Sequence, residues 1–236
     1  IGVCAEARRT INNTIIGSPA TWLSATICHS GHPLQAIDTV VFDIGNVLIP
    51  WDPRWLFNKL LPEGAAVARF MAEVDFTAWN LQHDAGQPFA EGIERHGRAF
   101  PHYRHLFEAY FQRWEDTIGD PIDGTVTLAR QLRAAGYRTL ALTNFSSETF
   151  PRAVRLHPFL SEFEGVVVSG EEKLTKPDPA IYRLLCERYR VDPSRAVFID
   201  DSPGNVEGAR SIGMQAVDYR SVDQLREALL GLGLKI

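Results

Sequence analysis

The stretch Thr39-Val40-Val41-Phe42-Asp43-Ile44-Gly45-Asn46-Val47-Leu48 decides how this chain folds. Thr39–Phe42 is an uncharged run of β-branched and aromatic residues and reads as a buried strand. Asp43 closes the run, and Gly45 and Asn46 turn the chain, which places a carboxylate at the rim of a sheet and not inside it. Open α/β sheets gather ligand chemistry at the carboxyl ends of their strands. Asp43 is therefore a candidate nucleophile or metal ligand, although an isolated aspartate in such a place is more often a turn or helix-cap residue.

Outward from this strand, short apolar runs alternate with helical patterns. Arg138–Leu142, Gly165–Val168, Ala196–Ile199 and Gln215–Val217 read as further strands. Val126, Ala129, Leu132 and Ala135 share one helical face that ends at Gly136, a C′ glycine. Ile181, Leu184, Leu185 and Arg188 follow a Pro-containing helix start at Pro177–Pro179. Ser221 and Gln224 have capping-box spacing ahead of Leu225, Leu229 and Leu230. The pattern implies an α/β core with a mostly parallel sheet covered on both faces. From Pro53 to Ile118 the alternation stops and only helices are expected. There Trp55, Leu56, Phe57, Leu60 and Leu61 form one apolar cluster, and Leu106, Phe107, Tyr110, Phe111 and Trp114 form a stripe that reads first as packing. The expected organisation is a flexible extension over 1–36, a core of 37–51 and 119–236, and a helical cap over 52–118, rooted beside Asp43 and placed to act as a lid.

Bulk properties narrow the function classes. The 236 residues suffice for one large domain or a core with a smaller insert, and 45% hydrophobic with 22% charged residues is ordinary for a soluble protein. A net charge of −5 with dispersed Lys and Arg argues against nucleic acid as a partner. Cys4, Cys28 and Cys186 are far apart and form neither a disulfide nor a metal pattern, so a reduced, cytoplasmic setting is expected. No run approaches the roughly 18 apolar residues of a membrane span.

In a parallel sheet the loops after successive strands meet at one rim. Four such loops here carry chemistry: Asp43–Asn46, Thr143–Ser146, Lys173–Pro179 and Asp200–Asn205. A carboxylate can attack phosphorus and form an aspartyl-phosphate. Asp43 and Asp201 could hold Mg2+, a hard cation served by carboxylates, a carbonyl and water. Thr143 and Asn144 could donate to phosphoryl oxygens, and Lys176 supplies a compact positive charge. Alone, Thr143 and Asn144 read as turn residues, Lys176 as a surface lysine, and Asp200-Asp201 as a helix N-terminal pair. Adjacent acids repel unless a cation is present, and the set in this order at these strand ends is far more specific than any member.

These motifs are Val40-Val41-Phe42-Asp43-Ile44-Gly45-Asn46-Val47-Leu48, Leu142-Thr143-Asn144, Lys176-Pro177-Asp178-Pro179-Ala180-Ile181-Tyr182 and Phe198-Ile199-Asp200-Asp201-Ser202-Pro203-Gly204-Asn205-Val206-Glu207-Gly208-Ala209. In this order they resemble the haloacid dehalogenase superfamily over about residues 37–219. The resemblance is to its phosphatase-type members with a helical cap after the first strand, a subgroup like the alpha-D-glucose-1-phosphate phosphatases and the phosphatase domain of soluble epoxide hydrolase. It implies a Rossmann-like three-layer core and a hydrolase of a small phosphorylated metabolite, such as a sugar phosphate, acting with Mg2+ as a monomer or homodimer. By the resemblance, Asp43 is the nucleophile, and Asp43, the Gly45 carbonyl and Asp201 bind the metal with Asp200 beside them. Lys176 and Thr143 are catalytic, and Thr143, Asn144, Lys176 and Asn46 bind the substrate.

The chain departs from that pattern at Gly45, where most phosphatases of the superfamily carry a second Asp that protonates the leaving group. General acid–base assistance is typically worth roughly 10²–10⁴-fold. Asp52, with the cap residues His83 and Asp84, are the candidate replacements, and Asp52 is the first choice. Two other readings stay open: a metal-independent 2-haloacid dehalogenase, which also lacks the second Asp, and a non-catalytic binding protein that retains the fold.

Overall fold

The computed structural model describes residues 36–62 and 64–236. Cys4, Cys28 and nearly all of the expected extension lie outside the described residues. The strands are β1 (Thr39–Phe42), β2 (Arg138–Thr143), β3 (Gly165–Val168), β4 (Ala196–Asp200) and β5 (Gln215–Asp218). They form one five-stranded sheet in the order β3-β2-β1-β4-β5, with every neighbouring pair parallel. β2, β4 and β5 each run one residue beyond the apolar pattern, because a polar residue at a strand end still completes the ladder.

Between β1 and β2 lie α1 (Arg54–Leu60), α2 (Gly64–Glu73), α3 (Phe76–Asp84), α4 (Phe89–Ala99), α5 (Arg104–Gln112) and α6 (Asp123–Ala134). α7 (Phe150–Leu156) precedes β3, and α8 (Ser169–Glu172) and α9 (Pro179–Tyr189) follow it. α10 (Pro203–Arg210) joins β4 to β5, and α11 (Val222–Gly231) ends the fold.

The period of two along each strand splits the core into two layers. Val40, Phe42, Ala141, Val197 and Ile199 face one side, with Leu128 and Leu132 of α6, Leu225 and Leu229 of α11, and the aromatics of α1–α5. Val41, Leu140, Leu142 and Phe198 face the other, with Ile181 and Leu185 of α9 and Ala209 of α10. Helices on both faces explain why β1 reads as a continuous apolar run: all four of its residues are buried.

Local signals behave as their chemistry requires. Gly136 ends α6 with φ +93°, which L side chains rarely adopt. Asp178 caps α9 by accepting from the Ala180 N–H. Ser221 caps α11, but Gln224 closes its box one residue early, accepting from the Arg220 N–H and not from that of Ser221. In the apolar cluster of α1, Leu56 and Phe57 are buried while Trp55 is exposed. Among the described residues, no helix is long and apolar enough to cross a membrane.

Candidate active site

Sheet register builds the site. Phe42 pairs with Ile199, so Asp43 and Asp200, each one residue further on, leave adjacent strands side by side. Phe42 also pairs with Ala141, which brings Thr143 to the same rim. The Asp43 N–H continues the ladder to the Ile199 carbonyl at 2.8 Å. Lys176 arrives from the loop between α8 and α9. Its Nζ lies 2.8 Å from Asp43 Oδ1 and 2.6 Å from Asp200 Oδ2, with only 2% of the residue exposed. Burial opposes the ammonium charge, but the two carboxylates outweigh it and raise the Lys176 pKa. Burial pushes Asp43 up to about 7 against the pull of Lys176. Asp43 Oδ1 also accepts from the Ile44 N–H at 2.7 Å. Oδ2 makes no hydrogen bond among the described residues.

Asp43, Asp200 and Asp201 offer carboxylate oxygens that all lie within 4.8 Å of one another. Three carboxylates against one ammonium leave net negative charge, and the donors are all hard oxygens, so the set suits a hard divalent cation. Asp200 is the most engaged: its oxygens also accept from the Ser202 N–H and from Asn205 Nδ2. Asp43 and Asp201 are therefore the freer carboxylates for a cation, with Asp200 bracing them, and the Gly45 carbonyl is a ligand expected from the resemblance alone. Burial and the neighbouring Asp200 raise the Asp201 pKa.

The residues expected to bind the substrate have different employments. Thr143 is buried at the end of β2, and its hydroxyl makes no hydrogen bond among the described residues. Asn144 instead clasps the main chain of Lys176, accepting from its N–H at 2.8 Å and donating to its carbonyl at 3.0 Å. Asn46, at φ 54°, accepts from the Trp51 N–H at 3.0 Å, and a hydrogen bond from its side chain favours the charged form of Asp201. Both asparagines thus position the groups around them, a use that residue type alone does not disclose.

A pocket of about 90 Å³ opens beside Gly45 and Asn144. Trp51, Phe89, Tyr110, Trp114 and Phe145 wall it. Tyr110 and Trp114 belong to the stripe read as packing; they are buried, and they also face this cavity. Of the three candidate acids, Asp52 is held by Arg54, whose Nε lies 2.8 Å from Oδ1 and whose N–H also donates to it. These bonds hold the Asp52 carboxyl below the usual range, so it keeps no proton at neutral pH. His83 is fully buried against Phe89, with ring centroids 3.9 Å apart, and burial pushes its pKa down to about 4. Asp84 alone of the three lines the pocket.

A family model for haloacid dehalogenase-like hydrolases matches residues 37–213. The chain belongs to that family. It is 38% identical over 97 residues to a phosphorylated carbohydrates phosphatase of Thermotoga maritima, covering 40% of this chain and 44% of that protein. It is 29% identical over 96 residues to (S)-2-haloacid dehalogenase 1 of Pseudomonas sp. strain CBS-3, covering 41% and 42%. Bifunctional epoxide hydrolase 2 of Sus scrofa matches at 28% over 82% of this chain, which spans 38% of that relative's length. An HAD family enzyme of Bacteroides thetaiotaomicron, solved with magnesium and inorganic phosphate, superposes with a TM-score of 0.62 at 24% identity, covering 78% of this chain and 95% of that one. That last likeness is one of fold.

Proposed function

We propose that this hydrolase cleaves a small phosphomonoester with Mg2+, through an aspartyl-phosphate on Asp43. The observation that carries this reading is the cluster of three carboxylates within 4.8 Å of one another, which a metal-free dehalogenation at carbon has no use for. Asp43 Oδ2 attacks phosphorus, the ester P–O bond breaks and the alcohol oxygen departs, while Lys176 holds Oδ1 and presents positive charge to the phosphoryl oxygens. The Thr143 hydroxyl is available to the same group. The cation, when bound, offsets the repulsion between Asp43 and the phosphoryl oxygens. Water then attacks the aspartyl-phosphate, the P–O bond to Asp43 breaks, and inorganic phosphate leaves.

The aromatic walls suit a compact leaving group with an apolar face, such as one side of a sugar ring. In the test, p-nitrophenyl phosphate and a panel of sugar phosphates are hydrolysed with Mg2+ or with EDTA, by wild type and by Asp43→Asn. Mg2+-dependent turnover that vanishes in Asp43→Asn supports the reading. Metal-independent release of halide from 2-chloropropionate, without phosphate release from any ester, sinks it in favour of dehalogenation.

A further inference from the structure

We propose that Asp84, carried on the helical segment between β1 and β2, is the general acid and base of this site and takes the place left vacant at Gly45. The inference rests on the phosphatase reading above and deepens it. Among the described residues, Asp84 is the one carboxylate lining the pocket that opens beside Gly45, the residue after next from Asp43, and so stands where a leaving group would sit. Its position is held from several sides. Asn80 Nδ2, one turn back on α3, donates to Asp84 Oδ2 at 2.9 Å, and the Tyr110 hydroxyl donates to Asn80 Oδ1 at 2.8 Å. The Asp84 carbonyl accepts from Ser169 Oγ at 2.5 Å, which pins this end of α3 to α8. A Cβ on Gly86 would meet the Gly170 carbonyl oxygen at 2.9 Å, so the two backbones nearly touch there. The carboxyl is thereby placed by the docking of α3 on the sheet rim.

The electrostatics suit the role. Its half-buried place in the pocket wall pushes the carboxyl's pKa up to about 7; Lys176 opposes this and Asp43 reinforces it. The third titratable group facing it is the Tyr110 phenol, which burial and the Asp84 charge hold well above its ordinary range and therefore neutral. A protonated acid with a pKa near the working pH is what leaving-group protonation requires. In the first step Asp43 forms the new P–O bond, the ester P–O bond breaks, and the departing oxygen takes the Asp84 proton. In the second, Asp84 takes a proton from the attacking water, the Asp43–phosphate bond breaks, and Asp84 ends protonated as it began. Gly45 is not glycine for want of space: a Cβ built there meets nothing within 4 Å.

That room makes a rescue possible. The experiment compares wild type, Asp84→Asn and Asp84→Asn/Gly45→Asp on phenyl phosphate and p-nitrophenyl phosphate with Mg2+. The two esters share a shape but differ in how much their leaving group needs a proton. Asp84→Asn is expected to lose roughly 10²–10⁴-fold in kcat/KM on phenyl phosphate and less than about tenfold on p-nitrophenyl phosphate. Its profile on phenyl phosphate should also lose the fall that wild type shows above neutral pH. Gly45→Asp in that background is expected to restore at least about tenfold on phenyl phosphate. Binding of Mg2+ with beryllium fluoride, read by the fluorescence of Trp51 and Trp114 in the pocket wall, should be unchanged in Asp84→Asn and shows that its fold and Asp43 are intact. Equal losses on both esters with that binding retained, or no loss on phenyl phosphate, overturn the proposal alone. A wild type that turns over neither ester overturns the phosphatase reading, and this proposal with it.

Discussion

At the scale of the residue, Lys176 carries the most consequence. Its ammonium is enclosed between Asp43 and Asp200, so removing it leaves two carboxylates facing each other out of water. Lys176→Met is expected to abolish phosphatase turnover and to destabilise the fold by roughly 3–5 kcal/mol, read by thermal and urea denaturation. Asp84 makes a prediction of opposite character. Its carboxyl rises from 3.8 to about 7 on folding, so the native state holds the proton more tightly than the unfolded chain. That contribution is full below the unfolded value and is lost as pH rises toward about 7. The stability of wild type relative to Asp84→Asn should therefore fall by a few kcal/mol between about pH 4 and pH 7, measured as paired urea titrations. A flat difference would mean that the carboxyl is well solvated.

Elements meet at two contacts that hold the Lys176 loop. Asn144, just past β2, bonds both the N–H and the carbonyl of Lys176. Asn144→Ala leaves both groups unpartnered and is expected to cost about 1–3 kcal/mol of stability and to lower kcat at least about tenfold, measured by melting and steady-state kinetics. From the other side α10 presses on the same loop: a Cβ on Gly208 would lie 2.6 Å from the Pro177 carbonyl oxygen. Backbone must move to admit it, so Gly208→Ala should lower Tm, at a cost of roughly 1–3 kcal/mol, and reduce kcat by displacing Lys176. The strands and the helices α6, α9 and α11 were legible from period and caps, because those signals are local. The asparagine clasp was not, since Asn144 and Lys176 lie far apart in the chain and meet only where β2 and the loop after β3 converge.

For the whole molecule, a cation held by the three carboxylates would couple metal binding to stability. A cation that binds only the folded chain raises its stability by about 2.7 kcal/mol at a hundred times its dissociation constant. Mg2+ is thus expected to raise the Tm of wild type, and Asp201→Asn to lose that response, in calorimetry with and without EDTA. Two contacts tie the helical segment to the sheet: Ser169 Oγ of α8 bonds the end of α3, and the Phe89 N–H at the start of α4 donates to Glu148, ahead of α7, at 2.7 Å.

Taken by itself, the sequence determined the parallel α/β core, the strand ends that carry Asp43, Thr143 and Asp200, and the family, because these follow from short-range periodicity and contiguous motifs. It also exposed the gap at Gly45. Which carboxyl lies at the rim beside that gap was decided only by tertiary structure. Asp52, nearer in sequence, is claimed by Arg54 two residues away, while Asp84 reaches the rim through the packing of α3 on α8. Which carboxyl keeps a proton depends on which is removed from water and which meets a cation, and both are properties of packing, not of residue type or spacing.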